Sequence, residues 1–496
     1  PARSPSFGAR TAPSLLPLHC PTSLPRPALL SGSMLHARAA LKGPASRRAF
    51  SSIAVAQQPT LLKTLPNQMR VATESTGGDS ATVGVWIDTG SRYETEATNG
   101  VAHFLEHMAF KGTSKRSQTQ LEMEVENMGA HLNAYTSREQ TVYYAKVMKQ
   151  DVPKAVELLS DILLNSTFSP DAVNREREVI LREMEEVESQ IEEVVFDRLH
   201  EVAYVGTPLA RTILGPVENI NTISPDDITR YIKTHYTAPR MVLAASGGVD
   251  HDQVVDLAGE YFGNVPTVAP PGYTFEDQAS LFCGADVRDF KEDMPSAHFA
   301  LSFEGLKWTD PDIYTLMLCQ SLLGTYDAKN SGAAHATAPM VSQLAKYRVA
   351  QAVQPFCTCY NDTGLFGLYV TADLHTYDDY STLFQILQDE MLALTMGVSD
   401  EDLARGKAQL KLNILKEMDG SSPSAEEMGR QLLTFGRRMN LAETLARIDN
   451  ITTADVQRVA DKVIWDQEVA FAAIGSNLKY IGDINSLRRG TYWNRI

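Results

Sequence analysis

The sequence predicts an α+β protein made of two homologous α/β sandwich domains, each with a mostly antiparallel sheet flanked by helices. Three observations support this fold class. The chain has 496 residues, which is too long for one ordinary hydrophobic core. Strand-like runs such as residues 81–87 alternate with amphipathic helical stretches such as residues 152–165. The order of these runs is then repeated in the second half of the chain. We expect the two domains to face one another as a clamshell.

Composition indicates a globular chain with an acidic body. Hydrophobic residues make up 43% of the chain, and no apolar run approaches the about 20 residues that span a bilayer. The formal charge is −16, yet residues 1–73 contain nine Lys or Arg and no acidic residue. The remaining acidic body would repel nucleic-acid phosphates and is compatible with a basic peptide partner. The five cysteines lack zinc-ribbon spacing, which fits a reducing compartment.

Residues 1–50 are predicted to be a mitochondrial targeting presequence rather than folded protein. The segment is rich in Arg, Ser, Ala and Pro, a composition typical of organelle transit peptides. Residues 34–50 can form a basic amphipathic helix that ends just before Ser51. We expect residues 1–33 to lie upstream of the true start at Met34.

The first folded domain is predicted to span residues 55–263, and a Pro-rich, polar linker is predicted for residues 264–290. Strands are predicted at 81–87, 130–134, 141–147 and 241–246, and helices at 100–111, 121–128, 152–165, 172–193 and 225–235. Ser169 is the expected N-cap of the long helix 172–193, which is predicted to run without interruption.

The second domain, residues 291–496, repeats this order. The corresponding strands and helices are predicted at 297–303, 311–323, 349–370, 380–397, 452–463 and 469–475, with Ser399 opening a further long helix. Where the first domain has a histidine motif, the second reads Tyr314-Thr315-Leu316-Met317-Leu318. Any metal site is therefore expected in the first domain, and the second domain is expected to be non-catalytic.

The motif is His103-Phe104-Leu105-Glu106-His107, or H-x-x-E-H. In a helix, His103 and His107 stand one turn apart on one face, where two imidazoles can bind one Zn²⁺. Glu106 beside them can accept a proton from water. A catalytic zinc site needs a third protein ligand, and the long helix 172–193 offers several carboxylates between which spacing alone does not choose. The alternative is a chance grouping on an ordinary helix.

The run HFLEHMAFKGT at residues 103–113, with REREVILREMEEVE at 175–188, resembles the pitrilysin family of zinc peptidases. The likeness covers essentially the whole chain after about residue 55. Further matching stretches are residues 129–147, 206–216 and 360–367.

The resemblance implies the missing site residues. In that family a glutamate follows the second histidine of the motif by 76 residues, which is Glu183 here. It therefore implies one zinc held by His103, His107 and Glu183, with Glu106 as the catalytic base. A glutamate seven residues before the distal ligand usually matters as well, which adds Glu176 to the catalytic residues as a support for the ligands.

Within the family, the chain is similar to the branch that removes presequences from proteins imported into mitochondria. By that resemblance, Glu193 and Asp197 hold a substrate arginine, although such an acidic run is usually just a solvated helix face. Asn133, Ala134 and Tyr135 belong to a predicted edge strand that the resemblance assigns to binding an extended substrate by strand addition.

The resemblance also implies partners. It describes a metalloendopeptidase subunit that acts with a separate α subunit on presequence peptides with basic residues, in the mitochondrial matrix or at the matrix face of the inner membrane. The α subunits carry a glycine-rich loop, which residues 324–339 do not reproduce. Two alternatives stay open. Related chains are structural core subunits of respiratory complex III without peptidase activity, a role that can coexist with processing and would make complex III subunits partners. Others are single-chain oligopeptidases.

Overall fold

The computed structural model describes residues 59–492, so the predicted presequence lies outside the described residues. Two six-stranded mixed sheets carry the fold, which confirms the predicted class. The first sheet has the order β1-β2-β6-β3-β5-β4. Its strands are β1 Leu61–Thr64, β2 Arg70–Ser75, β3 Ser80–Ile87, β4 His131–Thr136, β5 Thr141–Met148 and β6 Met241–Gly247.

The second sheet repeats the first. Its strands are β7 Asp286–Phe290, β8 Ala297–Glu304, β9 Tyr326–Asp327, β10 Ala352–Cys359, β11 Gly364–Ala372 and β12 Ala470–Gly475, in the order β7-β12-β8-β11-β10-β9. The parallel pair β2–β6 has its counterpart in β7–β12, and the other neighbours are antiparallel in both sheets. The internal repeat predicted from the sequence is therefore present in five strands of each sheet, and the edge strands β1 and β9 have no counterpart among the described strands.

Helices cover both sheets. Those of the first half are α1 Val101–Met108, α2 Gln118–Asn127, α3 Val152–Leu164, α4 Pro170–Glu188, α5 Ile191–Ala203, α6 Val217–Thr222, α7 Pro225–His235 and α8 His251–Phe262. Those of the second are α9 Ile313–Leu323, α10 Pro339–Tyr347, α11 Tyr377–Met396, α12 Asp400–Glu417, α13 Ser421–Thr434, α14 Leu441–Asp449, α15 Thr453–Val463 and α16 Ile484–Arg489. The side chains of Ser169 and Ser399 cap α4 and α12 as predicted. No helix within residues 59–492 is both long and apolar enough to cross a membrane.

The predicted uninterrupted helix 172–193 is wrong, because it is two helices separated at Ser189-Gln190. The Ser189 hydroxyl donates to the carbonyl of Glu186, and the backbone of Gln190 leaves the helical region at ψ 83°. Because the helix is interrupted at these two residues, α5 does not continue the axis of α4. The structure also places β7 within the segment 264–290 that was predicted to be a linker, as a strand of the second sheet.

The two halves exchange helices. α5 comes from the first half, but Val195 and Leu199 pack with Ala300 of β8 and Ala472 of β12. Conversely, α13 comes from the second half and packs on the first sheet. Each half therefore covers a face of the other half's sheet, which explains why α5 needs the break before it.

Replacing Gly429 of α13 with alanine should destabilise this exchanged packing. A Cβ at Gly429 would lie 2.2 Å from the ring of the buried Trp86 on β3. Overpacking of a core costs about 1–3 kcal/mol. A Cβ this close to a buried ring belongs in the upper part of that range, so the cost should exceed the ~1 kcal/mol that alanine gains over glycine in a helix. Gly259 of α8, with no atom near its Cβ position, is the matched control, and G259A should be neutral or stabilising. Urea unfolding measures both variants, and a Gly429→Ala chain as stable as G259A would contradict this packing.

Candidate metal centre

The helix α1 is held in place by burial and by a carboxylate. All eight of its residues are buried, including its polar ones. At its N-terminus, Gly100 has a φ of 103°, where a Cβ would lie 2.6 Å from the carbonyl oxygen of Leu214. The buried carboxylate of Glu94 accepts hydrogen bonds from the backbone N–H groups of Gly100 and Ala102, at 2.8 and 2.7 Å. Glu94 thus satisfies the free amides of the helix start and complements its dipole.

The two histidines of the motif meet Glu183 of α4. Nε2 of His107 lies 3.0 Å from Oε2 of Glu183, and Nε2 of His103 lies 3.7 Å from the same oxygen. One possible ligand atom from each of the three residues lies within 4.8 Å of the others. No second cluster of three such donors occurs within residues 59–492. The structure therefore brings together the three residues predicted as ligands.

The cluster fits a divalent metal ion. Nε2 of His107, which faces Glu183 at 3.0 Å, is buried and makes no hydrogen bond of good geometry among the described residues. Leaving such groups unpaired is costly, whereas a metal ion would satisfy an imidazole lone pair. Ligands about 2.1 Å from a tetrahedral ion stand roughly 3.4 Å apart, a value that the two nitrogen–oxygen distances to Glu183 bracket. Two imidazoles and one carboxylate are a common donor set of metallopeptidases.

Glu176 supports one of the histidines. Nδ1 of His107 lies 3.0 Å from Oε1 of Glu176, and the other carboxylate oxygen lies 2.9 Å from Nζ of Lys111. Burial lowers the pKa of His107, but the carboxylates of Glu176 and Glu183 raise it by more, to about 9. Burial and the nearby His107 instead lower the pKa of His103 to about 3. Glu176 therefore orients the His107 ring so that Nε2 points to the cluster.

Glu106 is a buried carboxylate next to the cluster. Its Oε2 accepts a hydrogen bond of 2.7 Å from the hydroxyl of Thr136, at the end of β4. Burial raises the pKa of Glu106 to about 7, and the hydrogen bond from Thr136 opposes that shift. A carboxylate in this range can both accept and release a proton near neutral pH.

Replacing Glu176 with glutamine should weaken metal binding by about 10–100-fold, the usual effect of losing such an outer partner. The amide keeps the shape but not the charge that balances His107 and Lys111. Zinc affinity measured by competition with a chelator checks this. Glu178→Gln, an exposed carboxylate on the same helix, is the control. An unchanged affinity in the Glu176 variant would contradict a supporting role.

The strand β4 is an edge strand of the first sheet, as predicted. Of its candidate substrate residues, Ala134 is buried, and the amide nitrogen of Asn133 lies 3.3 Å from the hydroxyl of Tyr144. The Tyr135 hydroxyl donates to Glu426 of α13. These side chains are thus engaged within the protein, so any role in substrate binding would fall to the backbone of β4.

Glu193 and Asp197 share α5, but their surroundings differ. Nη2 of Arg138, in the β4–β5 turn, lies 2.6 Å from Oδ1 of Asp197. Glu193 makes no ion pair among the described residues. Burial and the charges of Asp197 and Glu183 raise its pKa, which places it in a region of negative potential near the metal cluster. The sequence-based pairing of the two carboxylates did not anticipate Arg138.

Four residues around the site were not identified from the sequence: Glu94, Lys111, Thr136 and Arg138. Lys111 lies four residues after His107, a spacing that could have indicated it, although α1 ends at Met108. The other three act through partners that no local pattern connects to them.

Comparison with known families found two consecutive matches in the chain. Residues 70–217 match the family model described as insulinase (peptidase family M16), and residues 222–410 match the model described as the M16 inactive domain. The metal cluster lies within the first match. The second match, described as inactive, begins within the first half, before α7, and extends into the half that lacks the motif as far as α12.

Curated relatives extend the likeness over most of the chain. A probable mitochondrial-processing peptidase subunit beta from Arabidopsis thaliana is 49% identical over 440 residues, 88% of this chain and 82% of the relative. The human mitochondrial-processing peptidase subunit beta is 44% identical over 458 residues, 91% of each chain.

A solved structure shares the fold. A chain of complex III from Candida albicans superposes with a TM-score of 0.78 over 88% of this chain and 100% of that chain, at 22% sequence identity. Since that identity is low, the likeness speaks for the fold alone. The two consecutive family matches and the curated relatives establish that the chain belongs to peptidase family M16, a family of metallopeptidases.

Proposed function

We propose that the chain is the zinc-bearing subunit of a metalloendopeptidase that cleaves N-terminal presequences from proteins imported into mitochondria, acting with a separate α subunit. The observation that carries the proposal is the convergence of His103, His107 and Glu183 beside the buried Glu106. Curated relatives named mitochondrial-processing peptidase subunit beta support the substrate class and the location. The proposed compartment is the mitochondrial matrix, or the matrix face of the inner membrane if the chain is bound to complex III.

The residues of the site divide the chemistry among them. His103, His107 and Glu183 would hold one Zn²⁺ per chain. When bound, zinc polarises the scissile carbonyl and lowers the pKa of water to about 7. Glu106 accepts the proton of the attacking water at a carboxylate oxygen and delivers it to the leaving amine. The Thr136 hydroxyl holds Glu106 in place, and Glu176 holds the ring of His107.

The substrate would lie along the edge of the first sheet. An extended peptide adds to β4 through backbone hydrogen bonds, which are independent of side-chain identity. A basic residue of the peptide is attracted to α5, where Glu193 offers a carboxylate without an ion pair and Asp197 adds charge. This arrangement suits presequences, which are basic and differ in sequence.

The test is cleavage of an arginine-containing presequence peptide by purified chain, with the α subunit added and omitted. Cleavage that needs both zinc and the α subunit supports the proposal. Cleavage by the chain alone would favour a single-chain oligopeptidase. A zinc-free, inactive chain that copurifies with complex III would indicate a structural subunit, whereas an active chain in that complex would combine the two roles. The four intact residues of the site favour the active forms.

A further inference from the structure

The metal ligand Glu183 and the carboxylate of Glu193 lie only ten residues apart, but they belong to different packing units. Through Val173 and Ile180, α4 packs into the hydrophobic core of the first half. α5 instead packs on the second sheet, where Phe196 contacts Phe356 at a ring-centroid distance of 5.0 Å. The chain therefore crosses from one half to the other between the metal site and the proposed arginine subsite.

The chain segment that joins α4 to α5 does not by itself fix the distance between Glu183 and Glu193. Ser189 and Gln190 interrupt the helix, and Gln190 has no helical backbone conformation. A continuous helix would hold Glu183 and Glu193 at a constant separation of 1.5 Å per residue. Here the separation depends on how α5, which rests on the second sheet, is attached to the first half.

Arg138 provides that attachment. It lies in the turn between β4 and β5 of the first sheet, it is 8% exposed, and it pairs with Asp197 of α5. Its Nε also donates to the carbonyl of Leu209, 3.3 Å away, in the segment that follows α5. Among the ion pairs made by the described residues of α5, the Arg138–Asp197 pair is the one that joins α5 to the first sheet. The pair made by Arg198 reaches Asp289 of the second half.

The neighbouring Glu139 strengthens this turn. Its carboxylate accepts from Arg92 at 2.7 Å and from the backbone N–H of Asn361, in the β10–β11 turn of the second half. The β4–β5 turn is thus fixed to the first half, to α5 and to the second sheet. A guanidinium in this position makes directed, charge-assisted bonds that limit sliding of α5.

We propose that Arg138 is a positioning residue that sets the distance from the metal site to Glu193, and thereby determines which peptide bond is cut relative to the substrate's arginine. The proposal rests on the function proposed above. Arg138 does not contact the reacting atoms. Asp197 is its partner on α5 and adds negative charge beside Glu193, the one of the two carboxylates that makes no ion pair among the described residues.

The test uses the complex with the α subunit, loaded with zinc, and a presequence peptide that has one arginine. Mass spectrometry identifies every cleaved bond. Arg138→Met and Asp197→Asn should each spread cleavage from one bond to its neighbours and raise KM several-fold, with zinc content unchanged. Because the two residues act as one unit, the double variant should be no worse than either single variant. Arg198→Met removes an exposed cation of α5 that does not reach the first half, and it should keep cleavage at one bond.

The outcomes separate the two proposals. Folded Arg138→Met and Asp197→Asn variants that both cut only the wild-type bond would overturn the positioning role, whatever their KM, because a weaker arginine subsite raises KM without moving the cut. If Arg138→Met does not fold, the cleavage pattern of Asp197→Asn decides, and its KM does not, because Asp197 also adds charge to the arginine subsite. A wild-type complex that cleaves no presequence would refute the proposed function itself.

Discussion

Replacing Glu106 with glutamine should abolish peptide cleavage while leaving metal binding intact. Positioned acid–base groups contribute about 10²–10⁴-fold to rate. Glutamine cannot accept the proton of the attacking water, so kcat should fall by at least that factor. Because Glu106 is outside the cluster of three ligands, the zinc content and zinc affinity of the variant should match those of the wild type. Steady-state kinetics with metal analysis of the same sample measures both quantities.

The Glu106→Gln substitution should remove the charge of this side chain without disturbing its neighbours. Glutamine is isosteric, and its side-chain oxygen can still accept from the Thr136 hydroxyl. Glu126→Gln, an exposed carboxylate on α2, is the matched control and should have wild-type kinetics. Cleavage retained by the Glu106 variant would show that another group takes the proton, and loss of zinc would show that Glu106 is a ligand.

The repeat of the fold was readable from the sequence because each half has the same order of strands and helices. β3 and its counterpart β8 each begin within one residue of the predicted position. The continuous apolar runs of these two almost wholly buried strands and the serine caps of α4 and α12 are local signals that survive duplication.

The sequence did not predict that the two halves exchange helices. The apolar residues of α5 predict an amphipathic helix, but they do not say which sheet it covers, since Ala300 and Ala472 offer the same kind of surface as the first sheet. The break at Ser189 was missed for a similar reason. Acidic helix formers continue on both sides of it, and it is tertiary packing that bends the chain there.

The site was predictable to the extent that it is local. His103 and His107 are related by one helical turn, whereas Glu183 lies 76 residues away from the second histidine and was named through family resemblance. Glu94 and Arg138 act over contacts with no sequence pattern. The partner of Arg138, for example, is 59 residues along the chain on a helix of the other packing unit.

Replacing Glu183 with alanine should remove metal binding and cleavage together. The variant keeps the two imidazoles but lacks the carboxylate oxygen that lies within 3.7 Å of a nitrogen of each ring. Loss of a ligand should exceed the about 10–100-fold effect of losing an outer partner, so zinc affinity should fall by more than about 100-fold. Glu185→Ala, an exposed carboxylate two residues further along α4, should bind zinc normally.

Thermal unfolding separates this variant from the Glu106 variant without an activity assay. Zinc at about 100 times its Kd adds about 2.7 kcal/mol to the stability of a protein that binds it only when folded. Wild type and Glu106→Gln should therefore gain Tm on adding zinc, and Glu183→Ala should gain none at the same concentration. Because Glu183 also raises the pKa of the buried His107, its loss should lower the metal-free Tm, so the quantity compared is the change in Tm on adding zinc and not the starting value. A Glu183→Ala chain that still gains Tm with wild-type affinity would move the third ligand to another carboxylate of α4.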